Sequence, residues 1–217
     1  MAATTATTST TRRFPVSLAT SPAQLEQING LAHANLNTNV SAETASTQGF
    51  LSVAYPLSLL NEMLLTTPPL IALSSTSSVE HTPEQHQHHQ QHPQTVVAYA
   101  LAATPQLANT NPFLAEAAAF LETEAILDGA PVKNLNYLLM AQICVAEEAR
   151  GCGVVNDLYD AFKREYGGKY DFLFTEVRKE NARSLKAHLK AGWRVFGTWK
   201  STTTDSLWDT IVLDLRK

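Results

Sequence analysis

Apolar positions along the chain follow two rhythms. Short, nearly continuous apolar runs stand at Phe14–Ala19, Leu70–Leu73, Val96–Ala103, Leu138–Val145, Tyr170–Val177, Trp193–Trp199 and Leu207–Leu213. Their length and content predict strands, the innermost buried on both faces. Between them, apolar residues recur at helical spacing. Leu25, Ile28 and Leu31 follow Ser21-Pro22-Ala23-Gln24, which supplies an N-cap, a proline in the first turn and a capping-box glutamine. Pro56 opens a helix to about Leu65, stopped by Pro68-Pro69, and Asn111-Pro112 opens another to about Ile126. Val155, Leu158, Tyr159, Phe162 and Tyr166 mark one face of a further helix. Asn181 starts a last helix, which Gly192 ends.

Asp128-Gly129 predicts a turn, and the central strand begins near Leu135. Gly49 to Tyr55 is apolar without a decisive period. Leu70–Leu73 and Val96–Ala103 read as an antiparallel pair. The segment between them, about 75–95, is polar and of low complexity, with His81, His86, His88, His89 and His92. It has no cysteine and no fixed ligand spacing, so it reads as a hairpin insert and not as a metal site. Residues 1–12 form a Thr/Ala-rich tail expected to be disordered; Arg12 and Arg13 follow too closely on it to argue for a transit peptide. Residues 13–217 are then expected to form a single domain.

Composition narrows the function classes. With 217 residues, 44% of them hydrophobic, one full core is expected. A net charge of −4 argues against nucleic acid as the main partner, and no apolar run reaches membrane-spanning length. The only cysteines are Cys144 and Cys152. Two are too few for a disulfide framework, so they read as reduced thiols in a cytoplasmic protein. A homodimer is compatible with the sequence but not indicated by it.

Candidate chemistry concentrates where Leu138–Val145 feeds Ala146–Ala149 and then Arg150-Gly151-Cys152-Gly153-Val154-Val155. A strand leading through glycines into a helix leaves the first helical N–H groups unpaired and the positive end of the dipole exposed. Such a turn holds a phosphate, and glycine lets that phosphate approach the backbone. The alternative is a turn that binds nothing. A second block tips the balance: strand Tyr170–Val177, helix Asn181–Ala191, then Gly192-Trp193 opening a strand.

Together these blocks, roughly residues 135–215, resemble the GNAT superfamily of acyl-CoA-dependent N-acetyltransferases. Arg150, Gly151 and Gly153 match its Arg-Gly-x-Gly, and Asn181, Gly192 and Trp193 match its Asn…Gly-aromatic pattern. Val155 stands where that family usually has Gly or Ala, and His188 where many members have tyrosine. The resemblance implies an α/β fold: a twisted mixed sheet of about seven strands with helices on both faces. It implies that the strand ending at Val145 splays from the one ending at Val177, with acetyl-CoA in the gap as acyl donor. The pantetheine arm would pair with the backbone of Ile143, Cys144 and Val145, an N–H there would face the oxyanion, and the pyrophosphate would sit on Arg150 to Val155. Asn181 and Ser184 would line the arm. Asn181, Ser184 and His188 share one helix face, so His188 would reach the thioester sulfur and protonate the leaving thiolate.

The acceptor implied is an amine, with a small molecule favoured over a protein. A thiol with a pKa of about 8.5 leaves fairly well, whereas an amine of about 10.4 must first lose a proton. A general base is therefore the larger need. Glu176 is the first candidate, ahead of Glu147, Glu148 and Tyr137. By the same analogy the 40–67 region and the helix after Asn111 wall the acceptor pocket. Two rival readings stand beside direct acetyl transfer: a non-catalytic acyl-CoA-binding or regulatory module, and a protein N-acetyltransferase.

Overall fold

The computed structural model describes residues 14–74 and 94–216. The N-terminal tail with Arg12 and Arg13, and the five histidines of the insert, lie outside the described residues.

In chain order the elements are β1 (Val16–Leu18), α1 (Pro22–Ala34), α2 (Ala42–Gln48), α3 (Leu57–Thr66), β2 (Leu70–Leu73), β3 (Val96–Ala103), α4 (Pro105–Thr110), α5 (Ala115–Thr123), β4 (Ile126–Leu127), β5 (Ala130–Pro131), β6 (Tyr137–Val145), α6 (Val154–Tyr166), β7 (Phe172–Arg178), α7 (Ala182–Lys190), β8 (Arg194–Lys200) and β9 (Leu207–Asp214). Seven strands form one mixed sheet in the order β1-β2-β3-β6-β7-β9-β8. All neighbours are antiparallel except β6 and β7. β3 is buried along its whole length, as an uninterrupted apolar run in mid-sheet should be.

Two apolar clusters cover the two faces. One packs α1, α3, α4 and α5 on the sheet through Leu25, Ile28, Leu59, Met63, Leu107 and Leu121. The other packs α6 through Leu158, Tyr159, Phe162 and Tyr166, with Trp193 and the partly buried Leu185 of α7 beside it. Below, these are the first and second faces.

Two helices depart from the sequence expectation. The helix expected from Asn111-Pro112 is split. α4 is capped by Thr104, whose hydroxyl accepts from Leu107 N, and ends at Thr110. Asn111 Oδ1 then accepts from Phe113 N in a tight turn, so α5 starts only at Ala115. It also stops at Thr123, because Ile126-Leu127 turns about Asp128-Gly129 to pair with Ala130-Pro131. α2 is additional, capped by Ser41, whose hydroxyl accepts from Thr44 N, and ended by Gly49.

The feature that positions the site is the failure of β6 and β7 to stay paired. They are in register only from Tyr137↔Phe172 to Leu139↔Phe174. At the next step Thr175 Oγ1 donates to Met140 O at 2.8 Å, so a side chain stands in for the ladder. On its other edge β6 bulges against β3 between the Leu101↔Gln142 and Ala102↔Met140 pairs, which leaves Ala141 as the extra residue. A bulge bends the strand and shifts its alternation by one. Accordingly Tyr137 and Leu139 face the first cluster, and beyond the bulge Cys144 does, although its number has the other parity.

Candidate active site

The splay opens a cleft of about 330 Å³ reaching from Ile143, Cys144 and Val145 to the glycine turn before α6, with α7 as its far wall. Its lining includes Arg150, Gly151, Gly153, Val154, Val155, Asn181, Ser184 and His188. Apart from Cys152, the sequence candidates on β6, the turn and α7 therefore meet in one place.

Main-chain geometry on β6 follows from register. Ala146 N donates to Val97 O, so residues 142, 144 and 146 turn their peptide groups toward β3. Ile143 and Val145 turn theirs toward the cleft. Arg150 Nε donates to Val145 O at 3.2 Å, leaving the N–H groups of both residues and the Ile143 carbonyl to face the opening.

The turn is built for close approach. Gly151 and Gly153 have φ of 76° and 84°, which other residues rarely adopt, and a Cβ at either would meet nothing within 4 Å. The loop thus borders open space. Among the described residues the amides of Gly151, Gly153, Val154 and Val155 find no acceptor; that of Asn156 closes the first turn on Gly153 O at 2.9 Å. The Arg150 guanidinium is committed to protein partners. Its Nη2 donates to Asn35 Oδ1 at 2.8 Å, tying the turn to the end of α1. Arg183 and Lys190 on α7 also line the cleft and add positive charge near the free amides. Nothing in a strand-glycine-helix pattern marks these two, nor Asn35 and Phe50, as cleft residues.

Asn181 is bonded at both ends of its amide. Its Oδ1 accepts from Ser184 N at 3.2 Å as the N-cap of α7, and its Nδ2 donates to Phe50 O at 3.0 Å. The Gly49–Leu51 strand of irregular chain is held on its other side by Leu51 N donating to Asn35 O and Asn37 N donating to Leu51 O. It forms a strap between the end of α1 and the start of α7.

His188 is buried among Tyr159 and Trp193, ring centroids 5.9 and 5.3 Å away. Its Nδ1 lies 2.7 Å from Ser184 O. A carbonyl oxygen only accepts, so Nδ1 carries the proton and the neutral ring has none on Nε2. Burial pushes the pKa down to about 4. The ring is neutral near pH 7, which disfavours the acid role expected of it: the protonated form able to supply a thiolate is scarce.

Cys144 is buried, and desolvation pushes its thiol up to about 12. A group held protonated in this way is no nucleophile. Cys152 is half-buried and free, its Sγ near Arg150 O.

Glu176 lies on β7 past the last paired residue and on the first face, opposite Thr210 of β9. Desolvation raises its pKa from 4.5 to about 8 against a lowering contact from the Trp199 indole, with Glu116 adding to the rise. Its Oε1 is buried with no partner. Tyr55 stands close enough to sense its charge, and the Tyr55 hydroxyl donates to Ala141 O at the β6 bulge, 3.1 Å away. α5 roofs this side: Phe120 stacks on Trp199 at 5.6 Å, and Glu116 accepts from Ser201 Oγ, Thr202 N and Thr202 Oγ1. Of the lesser base candidates, Glu147 and Glu148 are exposed, and Tyr137 donates to Glu122 Oε1 at the paired end of β6.

No family model and no curated protein matches the sequence. Solved structures do match the fold. The NatC complex bound to Gag peptide and CoA aligns with a TM-score of 0.60 and 13% identity, over 94% of this chain and 99% of that one. Salmonella typhimurium yncA with its cofactor acetyl-CoA aligns with a TM-score of 0.55 and 13% identity, over 95% and 96%. A protein assigned to the GNAT acetyltransferase family from Desulfovibrio desulfuricans aligns with a TM-score of 0.54 and 11% identity, over 93% and 98%. The splayed pair, the glycine turn and these superpositions agree: the chain has the GNAT acyl-CoA N-acyltransferase fold.

Proposed function

We propose that the protein is an acetyl-CoA-dependent N-acetyltransferase that moves the acetyl group directly to an amine. The observation that carries the reading is the cleft opened where β6 and β7 part, with unpaired β6 main chain along one wall and free amides at the glycine turn. The residues present fit the coenzyme: open-faced glycines, four unpaired amides and two cations suit a diphosphate. The free β6 edge suits an extended amide-bearing arm.

In the reaction the amine nitrogen bonds to the acetyl carbon and the carbon–sulfur bond breaks. An N–H of Ile143 or Val145 stabilises the developing oxyanion. Glu176 takes the proton that the amine releases. An ordinary carboxylate is a poor base for an amine of pKa about 10.4; raising Glu176 from 4.5 to about 8 closes the gap by about 5 kcal/mol. The thiolate, of pKa about 8.5, leaves without an acid. His188 acts as a wall of the cleft, and Asn181 holds the strap. Tyr55 and α5 border the acceptor side.

The test mixes protein, acetyl-CoA and a panel of amines while free thiol is followed, with calorimetry for coenzyme binding. Amine-dependent thiol release rising with pH toward a midpoint near 8 is expected. Tight acetyl-CoA binding with no turnover on any amine would leave a binding module instead.

A further inference from the structure

Eight buried side-chain N or O atoms lack a hydrogen-bond partner among the described residues, and five of them sit together. They are Glu176 Oε1, Arg178 Nε, Trp199 Nε1, Trp208 Nε1 and Thr210 Oγ1. Strand register puts them side by side. Glu176 pairs with Thr210, and Arg178 with Trp208. Trp208 pairs in turn with Trp199, and Thr210 with Gly197. Directly opposed residues of antiparallel strands share a face, as do residues two apart on one strand. All five therefore project from the first face, where Trp199 stacks against Phe120 of α5 and Glu176 lies near Tyr55.

Buried polar groups in folded proteins are normally satisfied, so five orphans in one patch call for a missing partner. Their chemistry describes it. Arg178, Trp199, Trp208 and Thr210 are donors; Glu176 is the sole carboxyl. Arg178 Nε faces Glu180 Oε2 at 3.2 Å without the alignment of a hydrogen bond, and that glutamate is itself exposed. Trp199 leans toward Glu176 and Arg178 Nε has only the exposed Glu180 carboxylate beside it, which leaves Trp208 Nε1 and Thr210 Oγ1 without an acceptor. An amine alone would satisfy Glu176 and strand the rest.

We infer that the acceptor is an amine bearing a carboxylate or carbonyl oxygen close to its nitrogen, the nitrogen held at Glu176 and the oxygen by Arg178, Trp208 and Thr210. This deepens the acetyltransferase reading and rests on it. Glu176 and Arg178 are two residues apart on one strand face, so the two ends of the acceptor are separated by a short span. A plain alkylamine leaves the donors unpaired, and sites built to hydrogen-bond a substrate group reject analogues that lack it.

The experiment compares matched pairs: amino acids of varied side chain, each against the amine left when its carboxylate is removed, plus the corresponding amino-acid amides. Acetyl-CoA affinity is measured alongside by calorimetry. The expected result is a kcat/KM at least about 100-fold higher for the oxygen-bearing member. Preference for the free acid over the amide identifies a carboxylate; the reverse identifies a carbonyl. Arg178→Met should erase most of that preference, with acetyl-CoA affinity as in wild type. Trp208→Phe, which removes only an N–H donor from a retained ring, serves as the second variant should Arg178→Met fold poorly. Equal or faster reaction of plain amines overturns the inference and leaves acetyl transfer standing. So does a loss in both variants that falls equally on both members of a pair, or acetyl-CoA binding with no acetylation of either member. Absence of acetyl-CoA binding overturns the functional reading and this inference with it.

Discussion

The eight unsatisfied polar atoms divide into two groups, one on each face of the sheet. On the second face Tyr159 Oη, His188 Nε2 and Trp193 Nε1 belong to three rings in mutual contact, with centroids 5.3 to 5.9 Å apart. On the first face four further atoms sit around Glu176 Oε1. Burial acts on both and moves the two ionisable groups to their neutral forms: His188 down to about 4, Glu176 up to about 8. The consequences differ. A histidine with pKa near 4 has given up its proton across the useful pH range and has little acid function left. A glutamate with pKa near 8 is poised to exchange one. The same desolvation shifts the two pKa values in opposite directions, and on the proposed reading proton transfer falls to Glu176 on the first face and coenzyme binding to the splay and the glycine turn.

The strongest test of that division is to strike the coenzyme side alone. Gly151→Glu forces a side chain onto a positive-φ position and sets a carboxylate against the free amides. Like-charge juxtaposition costs several kcal/mol, so acetyl-CoA affinity should fall about 1000-fold by calorimetry. Circular dichroism should still report a folded sheet. Unchanged affinity would remove the phosphate site from this turn.

Next in size is Glu176→Gln, which keeps shape and removes the ionisation. Turnover should drop about 100-fold or more with acetyl-CoA affinity preserved, and the rise of rate with pH around 8 should vanish. Stability should move the opposite way. Between pH 4.5 and 8 the folded protein holds a proton on Glu176 that the unfolded chain has lost, so wild-type stability declines as pH rises through that window. The glutamine variant lacks this decline and should melt higher than wild type at pH 8. A variant both less active and less stable there would mean that Glu176 is a structural residue.

How much of this was open to inspection in the sequence follows the same division. The coenzyme side relies on main chain, and main-chain sites leave compact marks: Gly151 and Gly153 at positive φ, Asn181 at a cap, a strand before each. The seven strands also show, because their apolar runs are short and bounded. The bulge at Ala141 was not legible, since a shift of one in alternation is invisible in a strand buried on both faces. Nor was the split of the helix after Asn111, although Thr104-Pro105 carries an N-cap and first-turn proline that would have located α4. The proposed acceptor side draws on Glu176, Arg178, Trp199 and Trp208, brought together by register from three strands, with Phe120 of α5 and Tyr55 of the loop before α3 packed beside them. No spacing within the chain ties them together. The acid role expected for His188 is disfavoured for a related reason: helix periodicity sets it on the face with Asn181 and Ser184, but its burial and its bond to Ser184 O come from packing.

His188 gives a smaller and sharper test. Its folded pKa is depressed below 6.5, so its neutral-state contribution to stability is complete above that value and is lost as pH falls toward 4. At pH 5 the loss is about 2 kcal/mol. His188→Phe, which fills the same ring cage and cannot titrate, should flatten that acid limb in melting temperature against pH. Its kcat should remain within about tenfold of wild type, because no proton from His188 is needed. A thousandfold fall in kcat with intact coenzyme binding would restore the histidine as the acid.

The smallest effect expected is at the strap. Gly49 has φ of 80°, and a Cβ there would stand 3.2 Å from Asn181 Oδ1. Gly49→Ala therefore combines backbone strain of about 1 kcal/mol with pressure on the atom that caps α7. The strap touches the coenzyme cleft and none of the five groups that include Glu176. The variant should raise the KM for acetyl-CoA a few-fold, leave kcat and the pH midpoint near 8 unchanged, and lower the melting temperature by a few degrees. A shift in the pH midpoint would mean that the two faces are coupled through Asn181, and the separation of binding from proton transfer would no longer hold.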